Sequence, residues 1–146
     1  MIMITQQSRR PVIYPPPLAF ECQTGLTQGV RRYVRSRVAQ GGRADLAEES
    51  MTVASELFGN AVKAQCWQGI ATVISVQCCV QGRAVLIDCY DHAAGRPVLL
   101  NIDPVAAESG RGLHLVEAIT RGRWGWEPWA TGKVVSAMIT DPMPDG

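Results

Sequence analysis

Three short stretches of the chain carry side chains that could do chemistry. The first is Glu56-Leu57-Phe58-Gly59-Asn60-Ala61-Val62-Lys63. On a helix turning ~100° per residue, Asn60 and Lys63 fall within about 60° of arc around Glu56. A carboxylate, an amide and an ammonium then share one stripe. Oxygen ligands of this kind suit Mg²⁺, and a lysine suits a phosphate. Taken alone, the stripe also reads as an ordinary solvated face. The second stretch is Asp88-Cys89-Tyr90-Asp91-His92-Ala93-Ala94-Gly95. A carboxylate at a strand end, followed by small residues, can accept a hydrogen bond from an amino group such as adenine's. Asp and Gly favour turns as well, and His92 fits a loop histidine. The third is Glu108-Ser109-Gly110-Arg111-Gly112-Leu113-His114-Leu115-Val116. Glycines ahead of a helix leave N–H groups facing an anion, and Arg111 adds charge. The same pattern describes a Gly-rich turn that caps a helix.

The surrounding sequence supplies elements to position these stretches. Pro11, Pro15, Pro16 and Pro17 set residues 1–16 apart as a proline-rich arm, with an edge strand expected near Val12–Tyr14. Leu26, Val30, Tyr33, Val34 and Val38 recur at helical spacing over 24–40, and Gly41-Gly42 ends that helix. Ala47, Met51, Ala54, Leu57, Phe58 and Ala61 give a second helix, from about Asp45 to about Gln65, its core stripe. Residues 70–80 and 83–90 are rich in β-branched side chains, with Gln81-Gly82 as a hairpin turn. A helix is expected over 113–121, starting just after Gly-Arg-Gly, and a last strand pair over 122–127 and 133–140 around Gly132. Mostly antiparallel strands with helices gathered on one face make an α+β, two-layer α/β sandwich with a mixed, mostly antiparallel sheet. One domain over 17–142 with a short 143–146 tail accounts for the 146 residues.

Composition narrows the function classes. At 47% hydrophobic and 18% charged residues the chain is not a disordered one. It has no apolar run near the ~20 residues of a membrane helix, so no membrane partner is expected. The stretch MIMITQQSRR lacks the apolar core of a secretory signal. A cytoplasmic location follows as the expectation. The net charge of +1 hides an asymmetry: residues 1–44 are basic, with seven Arg against Glu21 alone, and the remainder is acidic. The Arg-rich first helix suits an acidic partner or a solvated face. Near-neutral charge and the lack of a reading motif argue against direct nucleic-acid binding. Five cysteines (22, 66, 78, 79 and 89) with no C-x-x-C pair are expected to be free, mostly buried thiols in a reducing compartment. His92 and His114 are not spaced for a zinc site.

The order and spacing of the three stretches add specificity. A helix bearing E-x-x-x-N, a strand ending in Asp and a G-x-G opening a helix form the layout of a Bergerat-type ATP site. Over about residues 17–140 the chain resembles the bacterial anti-sigma-factor serine-kinase family, within the histidine-kinase-like ATPase superfamily. ELFGNAVKA is similar to the family's N box, IDCYDHAAGRP to its first glycine box, ESGRGLHLVEAITRGRWGWEP to its second box and the Trp-Gly strand after it, and TGKVV to its closing strand. The resemblance implies a Bergerat fold binding ATP and Mg²⁺. Asn60 would hold Mg²⁺ through the phosphates, and Glu56 would prepare a serine hydroxyl or a water. Lys63 would near the phosphates and Asp91 would take the adenine amino group. Gly95 would fill the second conserved glycine position of the first box. Gly110, Arg111 and Gly112 would line the phosphates with Leu113 behind them. Residues 92–109 would form a lid, and Lys133 would lie near the site. The implied partners are a sigma factor or other transcription regulator and an anti-anti-sigma protein, and relatives often dimerise. The implied activity is that of a protein serine/threonine kinase. Gly59, Ala64 and Ala93 depart from the family pattern and bear on catalysis more than on binding. Gly59 costs its helix about 1 kcal/mol against Ala, which suggests a close backbone approach or a relaxed constraint. The alternative is a catalytically inactive switch, with or without nucleotide, that binds a transcription regulator.

Overall fold

Side-chain alternation decides how the sheet is built. The computed structural model describes residues 16–97 and 107–141, the stretch 107–112 by its backbone alone. The strand expected near Val12–Tyr14 and the tail 143–146 lie outside the described residues, as does the arm except for Pro16. Five strands are present: β1 (Leu18–Phe20), β2 (Ile74–Gln81), β3 (Ala84–Asp91), β4 (Trp124–Trp129) and β5 (Gly132–Ile139). They stand in the order β1-β2-β3-β5-β4, and every pairing is antiparallel, so the expected mixed character is not found among them. Three helices, α1 (Thr27–Gln40), α2 (Ala47–Trp67) and α3 (Ala107–Thr120), complete an α+β two-layer sandwich.

Register puts the apolar residues of each strand in one layer. Val76, Cys89, Val135 and Trp126 are cross-strand neighbours, as are Cys78, Ile87, Ala137 and Trp124. These face the helices and join Val30, Val34 and Val38 of α1, Leu57, Phe58 and Ala61 of α2, and Leu113 and Val116 of α3 in one core. β1 is a strand that periodicity did not reveal, because it is three residues long and begins directly after the prolines. Phe20 fixes it: its ring meets Phe58 edge-on at 5.8 Å and Tyr33 at 6.4 Å. Beyond so short an edge strand, β2 would carry unpaired backbone groups. α1 supplies partners for them: the Cys78 N–H donates to the Tyr33 hydroxyl at 3.3 Å, and Arg37 Nε donates to the Cys78 carbonyl at 3.3 Å.

Two further features set the ends of elements. The β2–β3 turn is Gly82-Arg83, one residue later than expected, with Gly82 at φ +61°. Arg43, buried between α1 and α2, donates to the Arg83 carbonyl at 2.8 Å and pairs with Asp45 and Asp141. It thereby clamps the helical layer to one end of the sheet. No described helix is long and apolar enough to cross a membrane.

The face turned away from the helices carries a polar row, with Gln77, Asp88 and Ser136 side by side on β2, β3 and β5. The Ser136 hydroxyl donates to Asp88 Oδ1. Burial raises the Asp88 carboxyl to about 6, against the pull of that hydroxyl. An unfolded Asp titrates near about 3.9, so between these values the folded chain holds more protons than the unfolded one. Stability should therefore fall as pH rises from about 4 to about 6, by on the order of 3 kcal/mol from this residue. Urea unfolding of Asp88→Asn at pH 4 and pH 7 should show a reduced slope and a gain at pH 7. An unchanged slope would contradict the assignment.

Candidate functional site

α2 carries two kinds of residue on two faces. Ala54, Phe58, Ala61 and Gln65 point toward the sheet and are buried. Glu56, Asn60 and Lys63 lie on the outer stripe, the first two half-buried and Lys63 exposed. The expected stripe is thus present, at the outer edge of the helix. Among the described residues no atom lies within 4 Å of where a Gly59 Cβ would stand, so none of them requires a glycine there by close packing.

Asp91 ends β3 on the helix-facing side, two residues beyond Cys89, whose thiol donates toward the Leu57 carbonyl of α2 at 3.8 Å. Its cross-strand neighbour is Lys133. Lys133 Nζ lies 3.1 Å from Asp91 Oδ1 and 3.4 Å from the Ala93 carbonyl, and the Ala93 N–H donates to the same Oδ1 at 2.9 Å. The two side chains are 1% and 2% exposed. Burial pushes the Asp91 carboxyl above its ordinary value, and the ammonium opposes that shift. Lys133 was expected near the site; the structure places it in direct contact with the carboxylate assigned to the adenine amino group.

Gln65 near the end of α2 and Gln68 just after it hold the chain that leaves Asp91. Gln65, fully buried, accepts from the His92 N–H at 2.8 Å and donates to the Thr72 carbonyl at 2.7 Å. Gln68 accepts from the Ala94 N–H at 2.8 Å and donates to the Ala94 carbonyl at 2.9 Å. Each amide acts as a short strand partner for backbone that would otherwise be unpaired. Gly95 follows at φ +86°, which favours glycine. Gln65 lies five residues after Asn60, or about 7 Å along the helix axis. α2 thus links the outer stripe to the end of β3. Sequence reading missed both glutamines, because nothing in their spacing marks them apart from other polar positions near a helix end.

The third stretch needs a correction. α3 starts at Ala107, so Gly110, Arg111 and Gly112 lie within the helix and not ahead of it. A helix leaves only its first-turn N–H groups unpaired, and here those precede the Gly-Arg-Gly run. Packing of α3 through buried Leu113, Val116 and Thr120 outweighs the low helix propensity of the two glycines inside it. The expected lid, 92–109, falls outside the described residues over 98–106. A cavity of about 410 Å³ opens at the end of β3, lined by Ser75, Gln77, Tyr90, Asp91, His92 and Trp129, and none of the α2 stripe reaches it.

The donor set can be compared with a magnesium nucleotide. Both bonds to Asp91 fall on Oδ1, which directs a further amino donor to Oδ2. Asn60 and Lys63 offer an oxygen and an ammonium of the type that Mg²⁺ and phosphate take. The chemistry fits; the Asp91 side chain is buried, with Lys133 and the Ala93 N–H on Oδ1. Among the described residues no group of three or more His, Cys, Asp or Glu could hold a metal ion by itself.

The chain matches no known protein-family model, and no curated protein is similar to it in sequence. Gly59→Ala should stabilise the protein by about 0.5–1 kcal/mol in chemical denaturation, since the new methyl group meets open space and the helix gains propensity. A loss of stability would mean that a neighbour crowds this position.

Proposed function

We propose that the protein is an ATP-binding regulator of transcription built on the Bergerat plan of the anti-sigma serine kinases. One observation carries this reading: a buried carboxylate, Asp91, ends a central strand on the helix-covered face, tied through Gln65 to the helix that bears Glu56, Asn60 and Lys63. On this reading Asn60 holds Mg²⁺ through the nucleotide phosphates and Lys63 neutralises phosphate charge. Asp91 accepts from the base amino group, and the chain beyond it from His92 to Gly95 flanks the base. The Glu56 carboxylate, half-buried on the same stripe, would take the proton of a serine hydroxyl on this reading. ATP supplies the phosphoryl group, and transfer of that group needs chiefly positioning and charge neutralisation. The partners on this reading are a sigma factor or other transcription regulator and a serine-bearing anti-anti-sigma protein. Arg32 and Arg35, exposed on α1, offer one contact for an acidic surface.

A second reading, a nucleotide-free switch that binds a regulator, draws on the Lys133 ammonium. It already satisfies Asp91, so the carboxylate needs no ligand to be stable. Calorimetric titration with ATP and Mg²⁺ separates the two. The first reading expects saturable binding that weakens at least tenfold in Asn60→Ala, a half-exposed position where the fold should tolerate the change. Glu56→Ala should keep nucleotide and lose phosphate transfer to the serine-bearing partner. No heat at millimolar ATP would favour the switch.

A further inference from the structure

Two cysteines from distant parts of the sequence meet beside the anchor of the candidate site. Cys22 follows β1, half-buried, and its thiol donates toward the Val62 carbonyl of α2 at 3.9 Å. Val62 lies one helical turn before Cys66. A helical side chain leans back over the turn N-terminal to its own Cα, so the Cys66 thiol leans toward the same carbonyl. Burial, and after it the neighbouring Cys66 sulfur, push the Cys22 thiol above its ordinary value. Both are reduced, and Cys66 is exposed, whereas Cys78, Cys79 and Cys89 are buried in the sheet. The expectation of mostly buried thiols thus holds for three of the five, and the remaining two form a pair.

We propose that Cys22 and Cys66 are a redox modification site that a peroxide converts to a reversible disulfide. Cys66, as thiolate, attacks a peroxide oxygen; the O–O bond breaks, hydroxide leaves and takes up a proton, and Cys66 becomes a sulfenic acid. The Cys22 sulfur then displaces the hydroxyl group. The S–S bond forms, and the hydroxyl departs with the Cys22 proton as water. Two thiols have lost two electrons, and one hydrogen peroxide has become two waters. The division of labour follows from exposure: the oxidant meets Cys66 first, while burial pushes the Cys22 thiol up and keeps it protonated until a sulfenic acid stands beside it. The bond would tie the edge strand to the C-terminal turn of α2, from which Gln65 and Gln68 hold residues 92–94. Transient disulfides of this kind are the usual form in reducing compartments.

The test uses the full-length reduced protein, one equivalent of hydrogen peroxide, and peptide mass spectrometry without reductant. The expected product is a monomer lighter by two hydrogens, with a Cys22–Cys66 cross-linked peptide that dithiothreitol reverses. Cys66→Ser should yield no cross-link and leave Cys22 reduced. Cys22→Ser should stop at the Cys66 sulfenic acid with one equivalent, and a second equivalent should carry it to the sulfinic acid. In the wild-type protein, Cys66 as sulfinic acid beside an unmodified Cys22 would overturn the proposal. So would a disulfide joining Cys66 of two chains.

Discussion

Asp91 and Lys133 face each other across β3 and β5 with both charges out of water. Removing two ions from solvent costs several kcal/mol each, and mutual attraction offsets that only when further hydrogen bonds complete the arrangement. Here the backbone of Ala93 completes it, donating to Oδ1 and accepting from Nζ. The pair therefore constrains the path of the chain beyond β3, because both backbone groups of Ala93 bond to its charges. Gly132 completes the constraint. Any Cβ there would collide with the Asp91 carbonyl and the backbone of His92, so only glycine lets β5 come close enough to present Lys133.

From this pair the organisation of α2 follows. Its sheet-facing side ends in Gln65, whose amide bonds to both sides of the sheet end, at His92 and Thr72. Its outer side carries Glu56, Asn60 and Lys63. One helix thus relates an outer polar stripe to a buried carboxylate, the relation on which the proposed nucleotide site rests. The ion pair also accounts for how Asp91 is buried: the Lys133 ammonium is its donor.

The parts legible in the sequence are those governed by local periodicity. α1 stops at Gly41-Gly42 as expected, and Gly42 has the positive φ that only such a residue takes readily. α2, the two hairpins and the stripe of Glu56, Asn60 and Lys63 were also readable, because helical and strand periods fix faces without knowledge of the fold. Contacts between distant segments were not. The Asp91–Lys133 pairing depends on the register of β3 against β5, which a one-residue slip would change. β1 depends on Phe20 finding Phe58, and α3 starts before its glycines because its buried residues find α2 and the sheet. Gln65 and Arg43 read as surface polar residues until the backbone groups they satisfy come into view.

Amide NMR of the labelled protein during addition of ATP with Mg²⁺ addresses the central claim, that the α2 stripe and the end of β3 form one site. The account expects signals of Glu56–Lys63 and of Asp91–Gly95 to shift together along a single saturation curve. Shifts confined to one of these segments, or to neither, would contradict it.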